Sequence, residues 1–154
     1  MRQLTEEQKM LLDMVRKLAQ EKIAPRAAEI DEKGEYPWDI KEAMAKLDLL
    51  AMPFPEEYGG TGSDLLTICM VIEEIAKVCV TSSLIVAIQS LGSLPITISG
   101  TPEQKKRYFS KLASGEWMPA FALTEPSAGS DVAAMRTRAV RDGDSYVING
   151  TKHF

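Results

Sequence analysis

The residues best suited to chemistry lie in one stretch near the C-terminal end of the chain, from Pro119 to Asp131. It begins with a compact apolar run, Ala120 to Leu123, whose length and flanking prolines predict a short strand rather than a helix. Polar residues follow at once, and Gly129 among them allows a ligand to approach the backbone closely. Pro126 favours an extended residue before it, so we expect Thr124 to leave the strand end with its hydroxyl and amide free. On these grounds alone, a ligand-binding strand end and an ordinary surface loop are equally good interpretations.

A second stretch, from Met52 to Ser63, contains three glycines before an expected helix and could therefore cradle a phosphate group. It lacks the lysine and the spacing of a P-loop, and no strand clearly precedes it. The favoured interpretation is a tight crossover that needs a positive φ at Gly59, Gly60 or Gly62.

Other acid–base candidates are weak. Glu73 and Glu74 are adjacent on an expected helix, where neighbouring side chains point apart, so a solvated surface is the favoured interpretation. His153 is the one histidine of the sequence, and neither a His-based triad nor a metal site has the ligands it needs. We therefore assign no catalytic residue and no metal site.

The composition is that of a soluble globular protein, with 154 residues, 45% hydrophobic and 26% charged. The net charge of −4, without a basic block, argues against nucleic acid as a partner. We expect no membrane span, because no apolar run approaches the roughly 20 residues that a bilayer requires. Early acidic residues argue against a leader peptide, and Cys69 and Cys79 lie in an apolar helical pattern typical of buried free thiols. A cytoplasmic location is the simplest expectation.

The first three quarters of the chain show helical patterns. A capping box, Thr5-Glu-Glu-Gln8, opens a first helix that Pro25 kinks or ends. A polar loop is expected over Asp31–Pro37, after which Asp39 can cap a second helix.

Three further helices are expected. Ser63 or Asp64 begins one of them, and a capping box at Thr101-Pro-Glu-Gln104 opens another, which Gly115 ends. Between them, Ser82–Leu94 carries no charged residue, which predicts a helix that is buried all round. Such a helix could form the wall of an apolar ligand pocket or simply be core.

Short strands follow the helices. Met135–Val140 predicts one strand, Asp142–Asp144 a turn and Ser145–Ile148 the partner strand. Asn149-Gly150 is a strong hairpin signal, so we expect Thr151–Phe154 to begin a third strand.

The predicted fold class is therefore mainly α. An N-terminal up-and-down helical bundle of five or six helices is expected over residues 1–115, followed by the first strands of a β domain over residues 116–154. The sheet would be left unfinished, with an exposed edge.

The run Phe121-Ala-Leu-Thr-Glu-Pro-Ser-Ala-Gly-Ser-Asp131 resembles the flavin-binding signature of the acyl-CoA dehydrogenases, an aromatic-x-aliphatic-Thr-Glu-Pro-x-Ala-Gly-Ser-Asp pattern. Pro55-Glu-Glu-Tyr-Gly-Gly60 is similar to a connector common in that family. The resemblance extends along the whole chain, but family members continue through a β domain and a second helical domain. It implies an N-terminal fragment that ends inside the middle domain.

The resemblance implies an FAD-dependent enzyme that oxidises an acyl-CoA thioester to the trans-2-enoyl-CoA. It further implies electron transfer to an electron-transfer flavoprotein and a homo-oligomer, a tetramer, in the full-length protein. In the family the base is a glutamate of the C-terminal helical domain, beyond residue 154. Related functions stay open, namely a flavin-dependent acyl-CoA oxidase, an enoyl-CoA reductase or a non-catalytic acyl-CoA-binding module.

The resemblance also implies roles for single residues. Cofactor contacts are implied for Phe121, Ala122, Leu123, Thr124, Ser130 and Phe154. Thr124 is the side chain expected to touch the flavin directly, and Phe154 matches the aromatic position against the isoalloxazine ring. Ser130 is expected near both the flavin phosphates and the acyl-CoA, whereas Glu125 and Asp131 are expected to brace the loop.

The helix predicted over Ser82–Leu94 matches the family helix that lines the fatty-acyl pocket. The candidate substrate-binding residues on it are Ser83, Leu84, Ala87 and Leu91, and Ser130 is the fifth. The small side chains among them hint at room for the acyl chain.

Overall fold

The computed structural model describes residues 3–154, and the backbone divides into two units between Pro119 and Ala120. Six α-helices form the first unit: α1 (Glu6–Leu18), α2 (Ala27–Lys33), α3 (Trp38–Ala45), α4 (Leu65–Ala76), α5 (Val80–Ser99) and α6 (Pro102–Ala113). No strand occurs within residues 3–119. The mainly α fold class with a helical N-terminal part is confirmed.

The predicted capping box opens α1. Thr5 Oγ1 accepts a hydrogen bond from the Gln8 amide at 3.1 Å, and Gln8 Oε1 accepts one from the Thr5 amide at 3.2 Å. Beyond α1 the chain stays helical through a π turn, Ala19–Ile23, and a 3-10 turn, Ala24–Arg26, before α2. Pro25 lacks the amide that a regular α-helix needs, so the helix changes its winding there instead of ending.

Two predicted boundaries are wrong. The loop expected from Asp31 begins later, because α2 continues until Gly34, which adopts φ 63° in the left-handed region. Asp39 does not cap α3, since the helix begins one residue earlier, at Trp38. Asp39 instead lies in the first turn, where a carboxylate is favourable, and pairs with Arg26.

The glycine-rich stretch is a tight crossover, as predicted. Gly59 and Gly62 have positive φ values of 83° and 59°. Gly60 is needed for a different reason, because a Cβ there would lie 1.8 Å from the Phe54 carbonyl oxygen. Backbone hydrogen bonds within the stretch, such as that from the Gly62 amide to Phe54 O at 2.9 Å, hold it closed. Asp64 then caps α4 by accepting from the Thr67 amide at 2.7 Å.

Helices α1 to α5 and the α3–α4 connection enclose the main core. Its fully buried members are Val15, Ile23, Met44, Leu49, Leu50, Val71, Ile75 and Val86. A second cluster joins the crossover to α6, where the Phe54 and Phe109 rings lie 5.1 Å apart. Both cysteines are free thiols; Cys79 is buried, but Cys69 is exposed, contrary to expectation.

The expectation that α5 is buried all round is wrong. Its buried face carries polar residues, among them Ser82 and Gln89, together with Ile85 and Val86. The Gln89 side-chain amide donates to the carbonyls of Leu50 at 3.3 Å and Leu112 at 2.9 Å, which explains why a polar residue is there. The opposite face is apolar and exposed, with Val80, Leu84, Leu91, Leu94 and Ile98 between 42% and 72% accessible. The helix packs against neighbours of its own unit on one side only.

Helix α5 also differs from the expectation that no apolar stretch is long enough to span a membrane. With 20 residues and no charged side chain it could cross a membrane by length and composition, although only 33% of its apolar window is buried in the structure. A single helix of this kind is weak support for a membrane span, because core helices meet the same criteria. Serine, threonine and glutamine interrupt the apolar run, so it is not apparent as continuous in the sequence.

The one-sided packing of α5 predicts unequal costs for truncating its two isoleucines. Ile85 is 3% exposed, so Ile85→Ala is expected to lower the free energy of unfolding by about 2–5 kcal/mol. Ile88 is only half-buried, and Ile88→Ala should cost clearly less. Urea denaturation of both variants measures the difference; equal losses would contradict the packing described here.

The second unit contains one antiparallel hairpin, β1 (Arg138–Asp142) paired with β2 (Ser145–Asn149). Val140 lies opposite Val147, and the predicted turn contains Gly143 at φ 58°. Every residue of both strands is exposed. The hairpin is confirmed, although β1 begins later than predicted.

Two other strand predictions for this unit are wrong. Residues 120–124 form no strand, because the one backbone pairing there is a hydrogen bond from the His153 amide to Thr124 O at 2.8 Å. The residues after Asn149-Gly150 do not fold back on β2. Gly150 packs so closely on Thr137 that a Cβ would lie 2.0 Å from Thr137 Oγ1, and the chain continues to lie beside Thr124.

Candidate functional site

The signature loop turns tightly at its Glu-Pro-Ser-Ala sequence. The Glu125 amide donates to Ala128 O at 2.9 Å, and the Ala128 amide donates back to Glu125 O at 3.1 Å. Pro126 occupies the second position of this turn, where its fixed φ is favourable. The turn directs the Glu125 side chain inward, where it is 4% exposed.

The Glu125 carboxylate joins three separate parts of the second unit. It accepts hydrogen bonds from the Arg136 amide at 2.7 Å and the Thr137 amide at 3.0 Å, which precede β1. It also pairs with Lys152 Nζ at 3.0 Å, which follows β2. The predicted bracing role of Glu125 therefore has a defined geometry.

These neighbours strongly favour the ionised carboxylate. Thr137 beside it, the Arg136 amide and the Lys152 ammonium lower the pKa of Glu125 from 4.5 to about 2. The Thr137 hydroxyl is buried next to the carboxylate without a hydrogen bond of normal geometry, so the backbone amides and the ammonium are the formed contacts. Both oxygens of the ionised Glu125 carboxylate accept hydrogen bonds. Such a group is suited to stabilising structure and not to proton transfer.

The same contacts fix the backbone of the segment before the turn. Lys152 Nζ donates to Leu123 O at 2.8 Å, and the His153 amide donates to Thr124 O. The four amides from Phe121 to Thr124 find no acceptor within the described residues. The segment therefore has free backbone donors, while its Leu123 and Thr124 carbonyls are held by hydrogen bonds.

The remaining signature residues are exposed. Ser130 lies on the surface beyond the turn, and Asp131 does not brace the loop through its side chain, since only its backbone carbonyl accepts, from the Ala134 amide at 3.2 Å. Phe121 is 40% exposed, and Phe154 is fully exposed one residue after His153. Ser130 and Phe154 thus have surfaces open to a ligand.

Glu74, in contrast, belongs to an ion-pair network of the first unit. It is not the solvated surface group that was expected: its side chain is 12% exposed and contacts Arg16 at 2.8 Å and Lys77 at 3.0 Å. Hydrogen bonds and charge interactions with Arg16 and Lys77 lower the pKa of Glu74. Glu73 is exposed and pairs more loosely with Lys77.

Comparison with known proteins shows which family this chain resembles. A family model described as acyl-CoA dehydrogenase, N-terminal domain, matches residues 5–116, and one described as acyl-CoA dehydrogenase, middle domain, matches residues 120–154. The chain belongs to the acyl-CoA dehydrogenase family. The resemblance inferred from the signature is confirmed.

Individual members of the family are similar over the whole chain. Cyclohex-1-ene-1-carbonyl-CoA dehydrogenase of Syntrophus aciditrophicus is 51% identical over 155 residues, covering 100% of this chain and 37% of that protein. The solved glutaryl-CoA dehydrogenase complex with glutaryl-CoA has a TM-score of 0.92 at 36% identity, covering 99% of this chain and 40% of that one. An acyl-CoA dehydrogenase of Bacillus anthracis complexed with FAD has a TM-score of 0.86 at 31% identity, covering 97% and 26%. The chain thus spans about 40% or less of the length of these relatives.

The residues present in this acyl-CoA dehydrogenase chain fit a flavin. A row of unpaired amides on the partly exposed Phe121–Thr124 segment can donate to the polar edge of a ring, and exposed aromatic side chains lie at both ends of the site, at Phe121 and Phe154. The relative from Bacillus anthracis holds FAD.

The predicted acyl-pocket residues lie on α5, in the first unit. Leu84, Ala87 and Leu91 follow one another along its exposed apolar face, and Leu84 lines a cavity of about 480 Å³ beside Tyr36 and Met118. Ser83 departs from that face: it is 3% exposed, and its hydroxyl donates to Val80 O at 2.7 Å. Its hydroxyl satisfies the helix backbone instead of facing a pocket.

Sequence reasoning missed Lys152 as part of the site. Its partner Glu125 lies 27 positions earlier, so no local spacing connects the two. The one available signal was the signature glutamate itself, because a carboxylate that braces a loop requires donors from elsewhere in the chain.

Proposed function

We propose that this chain supplies the flavin-binding segment and one wall of the acyl pocket of an FAD-dependent acyl-CoA dehydrogenase that forms trans-2-enoyl-CoA. The observation that carries the proposal is the segment of free amides from Phe121 to Thr124, in which Lys152 holds the Leu123 carbonyl and the His153 amide holds the Thr124 carbonyl. Donors held in place before the ligand arrives need no reordering when it binds.

Each part of the chain has a distinct task in this proposal. FAD, when bound, supplies the acceptor for the hydride leaving the acyl β-carbon. Backbone amides of the Phe121–Thr124 segment and the Thr124 hydroxyl orient the ring, and Phe154 covers its face. The exposed apolar face of α5, with Leu84, Ala87 and Leu91, excludes water from the acyl chain.

We further propose an electron-transfer flavoprotein as the electron acceptor, a homotetramer as the assembly and the cytoplasm as the location. The acceptor and the assembly follow the family resemblance of the signature, and the location follows the composition of the sequence. The base that removes the α-proton is proposed to be a glutamate outside residues 1–154.

The function is tested by a chimera in which this chain replaces the matched 37% of the Syntrophus aciditrophicus relative. We expect the purified chimera to retain FAD and its flavin absorbance to bleach anaerobically on addition of cyclohex-1-ene-1-carbonyl-CoA, the compound in that relative's name. The unmodified relative is the positive control. A folded chimera that stays colourless would contradict the proposed flavin role, and a yellow chimera that never bleaches would favour an acyl-CoA-binding module.

The chain of 154 residues by itself is expected to bind FAD weakly or not at all and to leave acyl-CoA unchanged. Its segment offers few of the contacts needed to offset the cost of association, and the proposed base is absent from it. Weak binding would appear in a fluorescence titration and be lost during gel filtration. A stoichiometric yellow complex that bleaches with acyl-CoA would overturn this expectation.

A further inference from the structure

We propose that Lys152 is a positioning residue for the flavin-facing segment, which it holds by its simultaneous contacts with Leu123 O and the Glu125 carboxylate. The identity of the ligand as a flavin rests on the proposed function. The positioning itself rests on contacts within residues 120–154.

The geometry gives Lys152 a role that the other contacts lack. Its ammonium lies 2.8 Å from Leu123 O and 3.0 Å from Glu125 Oε1, so one side chain joins the free-amide segment to the buried carboxylate. The side chain is 28% exposed, whereas that of Glu125 is 4% exposed. Glu125 has two further donors, the amides of Arg136 and Thr137, but Leu123 O has no other donor within the described residues.

The contact with Leu123 O is what distinguishes positioning from simple charge pairing. The next residue, Thr124, has its carbonyl fixed by the His153 amide, directly after Lys152. Consecutive carbonyls are thus held by consecutive residues of the 152–153 stretch. With both held, the peptide planes carrying the amides of Thr124 and Glu125 cannot rotate freely, which fixes the direction of the Thr124 donor.

Replacing the lysine separates these effects. Lys152→Met keeps an aliphatic stem but removes the donor to Leu123 O and the partner of Glu125. Lys152→Arg keeps a cation that can pair with Glu125 and hydrogen-bond a carbonyl. Arg138→Met is the matched control, because Arg138 is an exposed cation of the same unit whose side chain makes no hydrogen bond or ion pair within the described residues.

The first measurement is amide hydrogen exchange by NMR in the 154-residue chain. The reporter amides are those of Glu125, Ala128, Arg136, Thr137 and His153, each of which donates to this site. We expect Lys152→Met to raise the His153 and Glu125 exchange rates roughly tenfold or more, Lys152→Arg to restore them largely, and Arg138→Met to leave them at wild-type values.

The second measurement is a fluorescence titration of FAD with the same proteins. We expect Lys152→Met to raise the dissociation constant about tenfold, with recovery in Lys152→Arg and no change in Arg138→Met. A purely structural lysine would leave the affinity of the folded variant unchanged.

The outcomes separate the two claims. Unchanged His153 exchange in Lys152→Met would overturn the positioning role, and so would faster exchange with unaltered FAD affinity. If the wild-type chain binds no FAD at any concentration, the chimera decides the proposed function, and the positioning role stands or falls on the exchange rates alone.

Discussion

Replacing Phe54 by alanine is expected to lower the free energy of unfolding of the first unit by about 3–5 kcal/mol. Phe54 is fully buried, and its ring packs 5.1 Å from that of Phe109, which in turn meets the Tyr58 ring at 5.5 Å. The substitution removes one of the two rings that pack on Phe109.

Urea denaturation followed by tryptophan fluorescence measures this loss, since Trp38 and Trp117 both belong to the first unit. Phe121→Ala is the matched control: Phe121 is 40% exposed and lies in the second unit, so a change within about 0.5 kcal/mol is expected. If Phe54→Ala lowers the free energy of unfolding by less than about 1 kcal/mol, the aromatic cluster does not hold the crossover against α6.

Local sequence patterns predicted the ends of several elements well. The capping boxes at Thr5 and Thr101 need only residues three positions apart, and both form with the predicted Gln8 and Gln104 partners. Gly115, predicted to end α6, adopts φ 73°. Contacts between residues three positions apart depend on the local sequence, so they can be predicted without knowing the fold.

The sequence could not indicate which side of α5 has neighbours. It carries no charged residue on any side, and several of the residues that are buried are polar, such as Ser82 and Gln89. Gln89 is buried because the carbonyls of Leu50 and Leu112 approach it from other elements. That arrangement depends on tertiary packing, which overrides residue hydrophobicity at single positions.

The site shows the same division between local and distant information. The type and order of residues in the signature predicted a ligand-facing segment with a bracing Glu125. The partner Lys152 and the pairing of His153 with Thr124 could not be predicted, because a hairpin signal at Asn149-Gly150 indicated a different path for the chain. Close packing of Gly150 on Thr137 decides that path.

The second unit is expected to keep its Glu125 contacts far into the acid range. The folded pKa of about 2 lies below the ordinary 4.5, so an unfolded chain takes up a proton at Glu125 before the folded chain does. A depressed carboxylate pKa contributes stability that is complete above about pH 4.5 and is lost as the pH falls towards 2. Stability that rises with pH in this window is therefore the expected sign.

Carboxyl NMR chemical shifts of Glu125 as a function of pH measure this directly, with a midpoint expected well below the ordinary 4.5. Lys152→Met should move the midpoint upwards, because the ammonium at 3.0 Å is one of the groups that lower it. Two backbone amides would still favour the ionised form, so the midpoint should remain below 4.5 in that variant. A wild-type midpoint near 4.5 would mean that the carboxylate is solvated, and the held carbonyls of Leu123 and Thr124 would then lack the anchor described here.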